Sequence, residues 1–130
     1  NLRKTIAFLK GEGVNKIIII GALPNWKLSV PKIILTQWTK TGEIPIRTNS
    51  FLDLTPMKIN QSLKALDLEE RVIFISHTDA MCDEVACMLT VKSQEKLSPV
   101  QWDFTHLSSE GSIWLIDHFK IEIFQNNLLQ

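Results

Sequence analysis

The chain has 130 residues, of which 45% are apolar and 22% are charged, a balance typical of one globular domain. Fourteen Lys and Arg residues offset fourteen Asp and Glu residues, so no net charge points to nucleic acid or an anionic membrane as a partner. No apolar run approaches the roughly 20 residues that span a bilayer. Neither a secretory signal nor an initiator Met opens the chain, so we expect a fragment of a longer protein.

The beginning of the chain has the pattern of half a βαβ unit. Apolar residues recur at helical spacing over 2–9, and Gly11 predicts the end of that helix. The β-branched run over 14–21 is apolar on both faces, which is typical of a central strand in a parallel sheet. The loop over 22–26 follows this strand and is therefore expected on the functional edge of the sheet.

Two further helices are predicted in the middle of the chain. Pro31 suits the first turn of a helix that ends near Gly42. Residues 43–55 have no clear pattern. Thr55-Pro56 is expected to cap a second amphipathic helix. The apolar stripe of that helix is Ile59, Leu63 and Leu66.

The second half of the chain contains another predicted strand of the sheet. Val72–Ile75 is short and apolar, and Ser76–Asp79 would lie at its carboxyl end, again on the functional edge. Residues 88–98 are polar and are predicted as loop. Residues 100–102 are predicted as a short strand.

Cys82 and Cys87 stand five residues apart. A metal site is a poor interpretation, because no second Cys or His pair stands at ligand spacing. Two interpretations stay open, namely free thiols in a cytosolic protein and a local disulfide in an oxidising compartment.

Asp103 and His106 stand three residues apart at a predicted strand end. A serine hydrolase needs a base beside its nucleophile and a carboxylate that fixes the tautomer of that base. Asp103 would accept a hydrogen bond from one ring nitrogen of His106, and the other nitrogen would face a serine hydroxyl. The spacing alone is a weak motif, and an ordinary hydrogen-bonded pair in a surface loop is the alternative.

Other histidines and tryptophans have structural interpretations. His77, at a strand end, is expected to be structural or to face solvent, and His118 is expected to stabilise a helix terminus. Trp26 is interpreted as a core residue or as a wall of the substrate cleft, and Trp102 as a packing residue that fixes its loop. The tryptophans expected in the core because of helical spacing are Trp38 and Trp114.

A last helix is predicted after His106. Ser108 or Ser109 can cap it, and this explains them better than a role as nucleophile, because they stand too close in sequence to reach across a cleft. Residues 120–130 are expected to extend this helix or to form a final short element.

The stretch Asp103-Phe104-Thr105-His106-Leu107, followed by a helix start that contains Gly111, resembles the last block of the SGNH (GDSL-like) hydrolases. The strand and the Gly, Pro and Trp loop over 18–26 are also similar to that family, as are the strand and paired cysteines over 72–87. The likeness covers roughly residues 2–119. It is strongest to the C-terminal SGNH domain of bacterial membrane acyltransferases that O-acetylate surface glycans.

The resemblance implies an α/β fold of the three-layer, flavodoxin-like SGNH type, with a parallel sheet and flanking helices. Residues 1–130 would form the C-terminal part of a single SGNH domain. Asp103 and His106 would be catalytic, Trp26 would contact substrate, and Cys82 and Cys87 would form a disulfide. No metal or organic cofactor is implied.

The implied function is a serine O-acyltransferase that acetylates cell-surface polysaccharide or lipopolysaccharide sugars at the periplasmic face of the bacterial inner membrane. Its partners would be a membrane acyltransferase domain, an acyl donor and a glycan acceptor. The alternatives are a carbohydrate esterase or deacetylase, and a non-catalytic glycan-binding or regulatory domain of the same fold.

The sequence departs from the family in two respects, because it contains no Gly-Asp-Ser block to supply the nucleophile and no identifiable Gly and Asn blocks to supply the oxyanion donors. We therefore expect the serine to come from an upstream part of the same domain, or from another polypeptide that fills the gap. That part would include a strand inside the sheet, and a sheet without it exposes unpaired backbone. By itself the fragment is expected to be inactive.

Overall fold

The computed structural model describes residues 1–68 and 71–124. The helices are α1 (Leu2–Gly11), α2 (Val30–Thr41), α3 (Thr55–Lys64), α4 (His77–Met81) and α5 (Ser109–Phe124). The strands are β1 (Ile17–Ile20), β2 (Asn25–Trp26), β3 (Arg47–Thr48), β4 (Leu52–Asp53), β5 (Val72–Ile75), β6 (Cys87–Met88), β7 (Thr90–Ser93) and β8 (Lys96–Pro99). Within the described residues, no helix has the length and apolar character needed to cross a bilayer.

The two predicted apolar strands pair in parallel, which confirms the α/β class. In register, Ile17 lies opposite Val72. Strand β1 is shorter than the predicted run over 14–21, because the N–H of Val14 donates to the carbonyl of Leu9 at 3.0 Å in the turn that ends α1. Ile20 is 62% exposed, so within the described residues β1 lacks the burial expected of a central strand.

Helix α2 follows its sequence signals closely. Pro31 lies in its first turn, where the missing N–H has no helical partner to lose. Gly42 follows its last residue in the left-handed conformation with φ of 78°, and the Gly42 N–H donates to the carbonyl of Trp38 at 2.7 Å. The predicted start and end of this helix are therefore confirmed.

Helix α3 is present as predicted, but its buried face is different. Its buried residues are Pro56 and Asn60, whereas Ile59 of the predicted apolar stripe is 49% exposed. The Asn60 side chain accepts from the Ala22 N–H at 2.8 Å and donates to the Ala22 carbonyl at 2.9 Å. Helix α3 therefore contacts the end of β1 through a buried amide. The expectation that Thr55 caps the helix is wrong, because Thr55 is its first residue and its N–H donates to the Asp53 carboxylate.

The prediction of a loop over 88–98 is wrong. Strands β7 and β8 form an antiparallel hairpin with Ser93 opposite Lys96. The two turn residues between them, Gln94 and Glu95, both have positive φ, at 47° and 65°. Such two-residue turns usually carry Asn or Gly, and this chain lacks that signal at the turn.

Two clusters of buried side chains form the core. One joins β5, α4, the hairpin and α5, and the other joins α2 to the segment around β6. The first contains Ile75, Met81, Met88, Val91, Val100, Leu115 and Phe119, and the second contains Trp26, Val30, Ile33, Cys87 and Leu89.

Two expectations about helix residues are wrong. Trp38 is 48% exposed and does not belong to the core. His118 does not lie at a helix terminus, because α5 continues to Phe124. The rest of the predicted extension, residues 125–130, lies outside the described residues.

The start of α5 is capped as predicted, by Ser108. Its hydroxyl oxygen accepts from the Gly111 N–H at 3.0 Å and donates to the Pro99 carbonyl at 2.6 Å. The helix lies so close to the chain at Val100 that a methyl group built at position 111 would overlap the Val100 carbonyl oxygen. A glycine is therefore required here.

We expect Gly111→Ala to lower the free energy of unfolding by about 3 kcal/mol, because the added methyl group must push the helix away from a backbone oxygen that has little room to move. The measurement is urea unfolding of the full chain. Gly11→Ala is the matched control, since open space surrounds that position, and it should change stability by less than about 1 kcal/mol. Equal effects of the two changes would contradict the close approach.

Candidate active site

The Asp103–His106 pair lies in a tight loop that closes on itself. Gln101 and Leu107 form an isolated antiparallel bridge at its base. One residue further in, the N–H of Trp102 donates to the carbonyl of His106 at 3.0 Å. The four residues from Asp103 to His106 therefore form the tip of a closed turn, and their side chains share one small region of surface.

The Asp103 carboxylate is the centre of this loop. Its Oδ1 accepts from the backbone N–H of Thr105 at 2.9 Å and from that of His106 at 2.8 Å. Its Oδ2 lies 2.7 Å from Nδ1 of the His106 ring. A single side chain therefore fixes both the backbone of the turn and the imidazole.

The same hydrogen bonds determine the protonation state of Asp103 and the tautomer of the neutral His106 ring. The N–H of Thr105 and then that of His106 lower the pKa of Asp103 to about 2. At neutral pH the carboxylate is ionised and can only accept hydrogen bonds, so Nδ1 of His106 must be the donor. The free lone pair of the neutral ring is then on Nε2, the nitrogen that can act as a general base.

The two side chains differ in exposure. The Asp103 side chain is 21% exposed, whereas that of His106 is 69% exposed. The carboxylate is thus held within the turn while the imidazole stands at the surface. An imidazole sealed in the core would have no access to a substrate, and the structure does not place it there.

The loop is also attached to the first half of the chain. The Val30 N–H, in the first turn of α2, donates to the Asp103 carbonyl at 3.0 Å. The Trp26 N–H donates to the Phe104 carbonyl, also at 3.0 Å. The segment after β1, expected from the sequence to lie at the functional edge, is thus in direct contact with the loop that carries the dyad.

Gln101 supports the loop from its buried side, and the sequence analysis did not identify it as a residue of the site. It is fully buried, its Oε1 accepts from Nε1 of Trp26 at 2.8 Å, and its Nε2 donates to the Pro24 carbonyl at 2.9 Å. The one available signal was a polar residue directly after the buried Val100. Such a signal is weak, because polar residues also alternate with apolar ones in exposed strands.

The two tryptophans near the loop differ from one another. Trp26 is 2% exposed and belongs to the second core cluster, as the core interpretation expects, and a side chain this buried presents no wall to a substrate. Trp102 was expected to pack and is instead 62% exposed. Its indole stacks on the imidazole of His106, with ring centroids 5.9 Å apart and an interplanar angle of 27°.

His77 has the surroundings of a structural residue. Its ring lies 5.9 Å from that of Phe119, and burial lowers the pKa of the imidazole. The nearby carboxylate of Asp79 is paired with Lys64 at 2.9 Å. Among the described residues, His77 therefore has no carboxylate partner comparable to the Asp103 that orients His106.

Cys82 and Cys87 form a disulfide, which resolves the two interpretations left open by the sequence. The turn between them is held by Asp83, whose Oδ1 accepts from the N–H of Ala86 at 2.8 Å. Arg47 pairs with Asp83 at 3.0 Å and also donates to the carbonyl of Ala86. In the part of the chain that is described, no group of three or more His, Cys, Asp or Glu is placed to hold a metal ion.

A family model described as an SGNH domain (fused to AT3 domains) matches residues 1–120. A solved structure, the Salmonella ser. Paratyphi A lipopolysaccharide acetyltransferase periplasmic domain, is similar over 88% of this chain, with a TM-score of 0.75 and 22% sequence identity. The match covers 44% of that protein, so this chain spans less than half of its length. No curated protein matches this chain.

The loop hydrogen bonds predict an unusual titration for Asp103. Because its pKa in the fold is about 2, below the ordinary 3.8, the bonds to the carboxylate add to stability above pH 3.8. Their contribution declines below that pH and is lost as the pH falls through about 2. Carbon NMR of the Asp103 carboxyl group should show this low midpoint, and His106→Ala should retain most of the lowering because both backbone donors remain. A midpoint near 3.8 would contradict the hydrogen bonds.

We expect Gln101→Leu to lower the free energy of unfolding by about 3 kcal/mol, because it leaves the buried Trp26 indole N–H and Pro24 carbonyl without partners. Urea unfolding of the full chain measures the effect. Gln61→Leu, at an exposed position on α3, is the control and should change stability by about 0.5 kcal/mol or less. Similar losses in both variants would show that the buried amide has no special role.

Proposed function

The chain belongs to the SGNH domain family whose model is described as fused to AT3 domains, and on this basis we propose that residues 1–130 are the C-terminal part of a single SGNH domain in a serine O-acyltransferase. In this proposal Asp103 and His106 are two members of a Ser-His-Asp triad. The transferred group is an acetyl group, and the acceptor is a sugar of cell-surface polysaccharide or lipopolysaccharide.

One observation carries the catalytic part of the proposal, namely the hydrogen bond of 2.7 Å between Asp103 Oδ2 and His106 Nδ1 in an exposed loop. The ionised carboxylate selects the tautomer in which Nε2 is free to take a proton. It also stabilises the imidazolium after the proton has been taken. The two backbone hydrogen bonds to Asp103 and the buried contacts of Gln101 hold the loop that carries this pair in a defined geometry.

The reaction we propose is a double displacement. Nε2 of His106 takes the proton of a serine hydroxyl while the serine oxygen attacks the acyl carbonyl of the donor. The imidazolium then gives this proton to the leaving group, and an acyl-serine remains. In the second half, Nε2 takes the proton of a sugar hydroxyl, whose oxygen attacks the acyl-serine, and the proton returns to the serine oxygen.

The serine would come from outside these 130 residues, which contain no Gly-Asp-Ser block. Two features of β1 support a missing neighbour in the sheet. Within the described residues β1 pairs with β5 alone, and its Ile18 and Ile20 are 38% and 62% exposed. An upstream segment that adds a strand beside β1 would pair this edge, and a part of it packed on the sheet face would cover the two isoleucines.

The proposed location is the periplasmic face of the bacterial inner membrane, next to a membrane acyltransferase domain. The family description includes fusion to AT3 domains, and the similar solved structure is named as a periplasmic domain. The disulfide of Cys82 and Cys87 supports an oxidising compartment, because disulfides are rare where thiols are kept reduced.

The central test is made in the full-length protein. His106→Ala should reduce acetyl transfer to the glycan by about 10³-fold, because the general base is lost. Asp103→Asn should have an effect of the same order, because the amide can stabilise the wrong tautomer. The measurements are acetyl transfer to the sugar hydroxyl and labelling of the serine by a fluorophosphonate probe.

His118→Ala is the control, since this exposed histidine stacks on Trp114 and not on the dyad, and its rate should match the wild type. Unchanged transfer and labelling in His106→Ala would remove His106 as the base. Release of free acetate without any acetylated sugar, in the wild-type protein, would favour the esterase or deacetylase instead.

A further inference from the structure

The imidazole of His106 is contacted in two different directions. Asp103 meets Nδ1 at the edge of the ring at 2.7 Å. The indole of Trp102 lies against the face of the same ring, with centroids 5.9 Å apart and an interplanar angle of 27°. The carboxylate therefore fixes one atom of the imidazole, and the indole fixes its plane.

The backbone of the loop places the Trp102 and His106 rings where they can stack. Gln101 is fully buried and Trp102 is 62% exposed, as expected where successive side chains of an extended segment point to opposite sides. The Trp102 N–H then donates to the His106 carbonyl at 3.0 Å, which brings the two residues to opposite ends of the same closed turn. Gln101 thus anchors the turn to the core, and Trp102 contacts the imidazole on the solvent-exposed side.

We infer that Trp102 is a positioning residue for the base, an inference that rests on the proposed role of His106. A hydrogen bond at Nδ1 holds the imidazole at one point, and the ring can still turn about it. With 69% of the His106 side chain exposed, few other contacts resist that turning. The flat indole prevents it and so keeps Nε2 aimed at the serine oxygen.

The same contact favours the charged ring that forms during the reaction. A cation within about 6 Å of an indole centroid is attracted by the negative face of the ring. When Nε2 takes the proton, the imidazolium therefore gains from Trp102 as well as from Asp103. Both contributions act on the step of proton transfer, and neither requires Trp102 to touch the substrate.

The experiment compares three variants of the full-length protein, Trp102→Leu, Trp102→Phe and Trp38→Leu. Trp38 is the matched control, because it is also a half-exposed tryptophan but lies on α2. The rate of acetyl transfer is measured over a range of donor concentrations to separate kcat from KM. Trp102→Leu should lower kcat about tenfold with KM within about twofold, since misaligned catalytic groups cost rate without weakening binding.

Trp102→Phe should recover kcat to within about threefold of the wild type, because a phenyl ring can still stack on the imidazole. Trp38→Leu should match the wild type. A rise in KM with unchanged kcat in Trp102→Leu would overturn the inference and make Trp102 a substrate contact. So would a Trp102→Phe variant as slow as Trp102→Leu, or a Trp102→Leu variant as fast as the wild type.

His106→Ala separates this inference from the proposed function. If His106→Ala is inactive and Trp102→Leu is fully active, the base assignment stands and the positioning role fails. If His106→Ala retains the wild-type rate, the proposed function fails first, and the positioning role has no base to act upon.

Discussion

The structure of the candidate site depends on one carboxylate with three hydrogen bonds. Asp103 accepts from the backbone N–H of Thr105, from that of His106 and from the His106 ring. The first two bonds shape the turn, and they are also the largest causes of the low pKa of this carboxyl group. The third selects the tautomer of the imidazole. One carboxylate therefore both shapes the loop and orients the base.

This arrangement needs a fixed support, which comes from the segment after β1. Gln101 binds Pro24 and Trp26 through its buried amide, and the Asp103 carbonyl accepts from the first turn of α2. Each of these contacts joins residues more than 70 positions apart in sequence. The dyad is thus local in sequence, but its position relative to the sheet is determined by contacts between distant parts of the chain.

The sequence was informative where the signal is local. The parallel strands, the Gly42 end of α2 and the Ser108 cap all follow from residues within one turn of the feature they determine. The hairpin of β7 and β8 was missed because its turn uses positive φ at Gln94 and Glu95, residues that rarely adopt it. Gln101 was missed for another reason, because its partners Pro24 and Trp26 are brought near only by the fold. Trp102 was expected to pack in its loop, and its stack on His106 depends on how the closed turn places the two rings.

These contacts also indicate how the proposed active site divides between the two parts of the domain. Every hydrogen bond to the Asp103 side chain comes from residues within three positions of it, and the buried support comes from residues 24–30. The base is therefore held in a defined geometry by this chain alone, whereas the exposed side of His106 and the exposed residues of β1 have no cover within the described residues. A serine supplied from an upstream segment would meet a base that is already oriented. The entropy lost in orienting the His106 imidazole would then be lost when this part of the domain folds, and not when the serine is brought to the site.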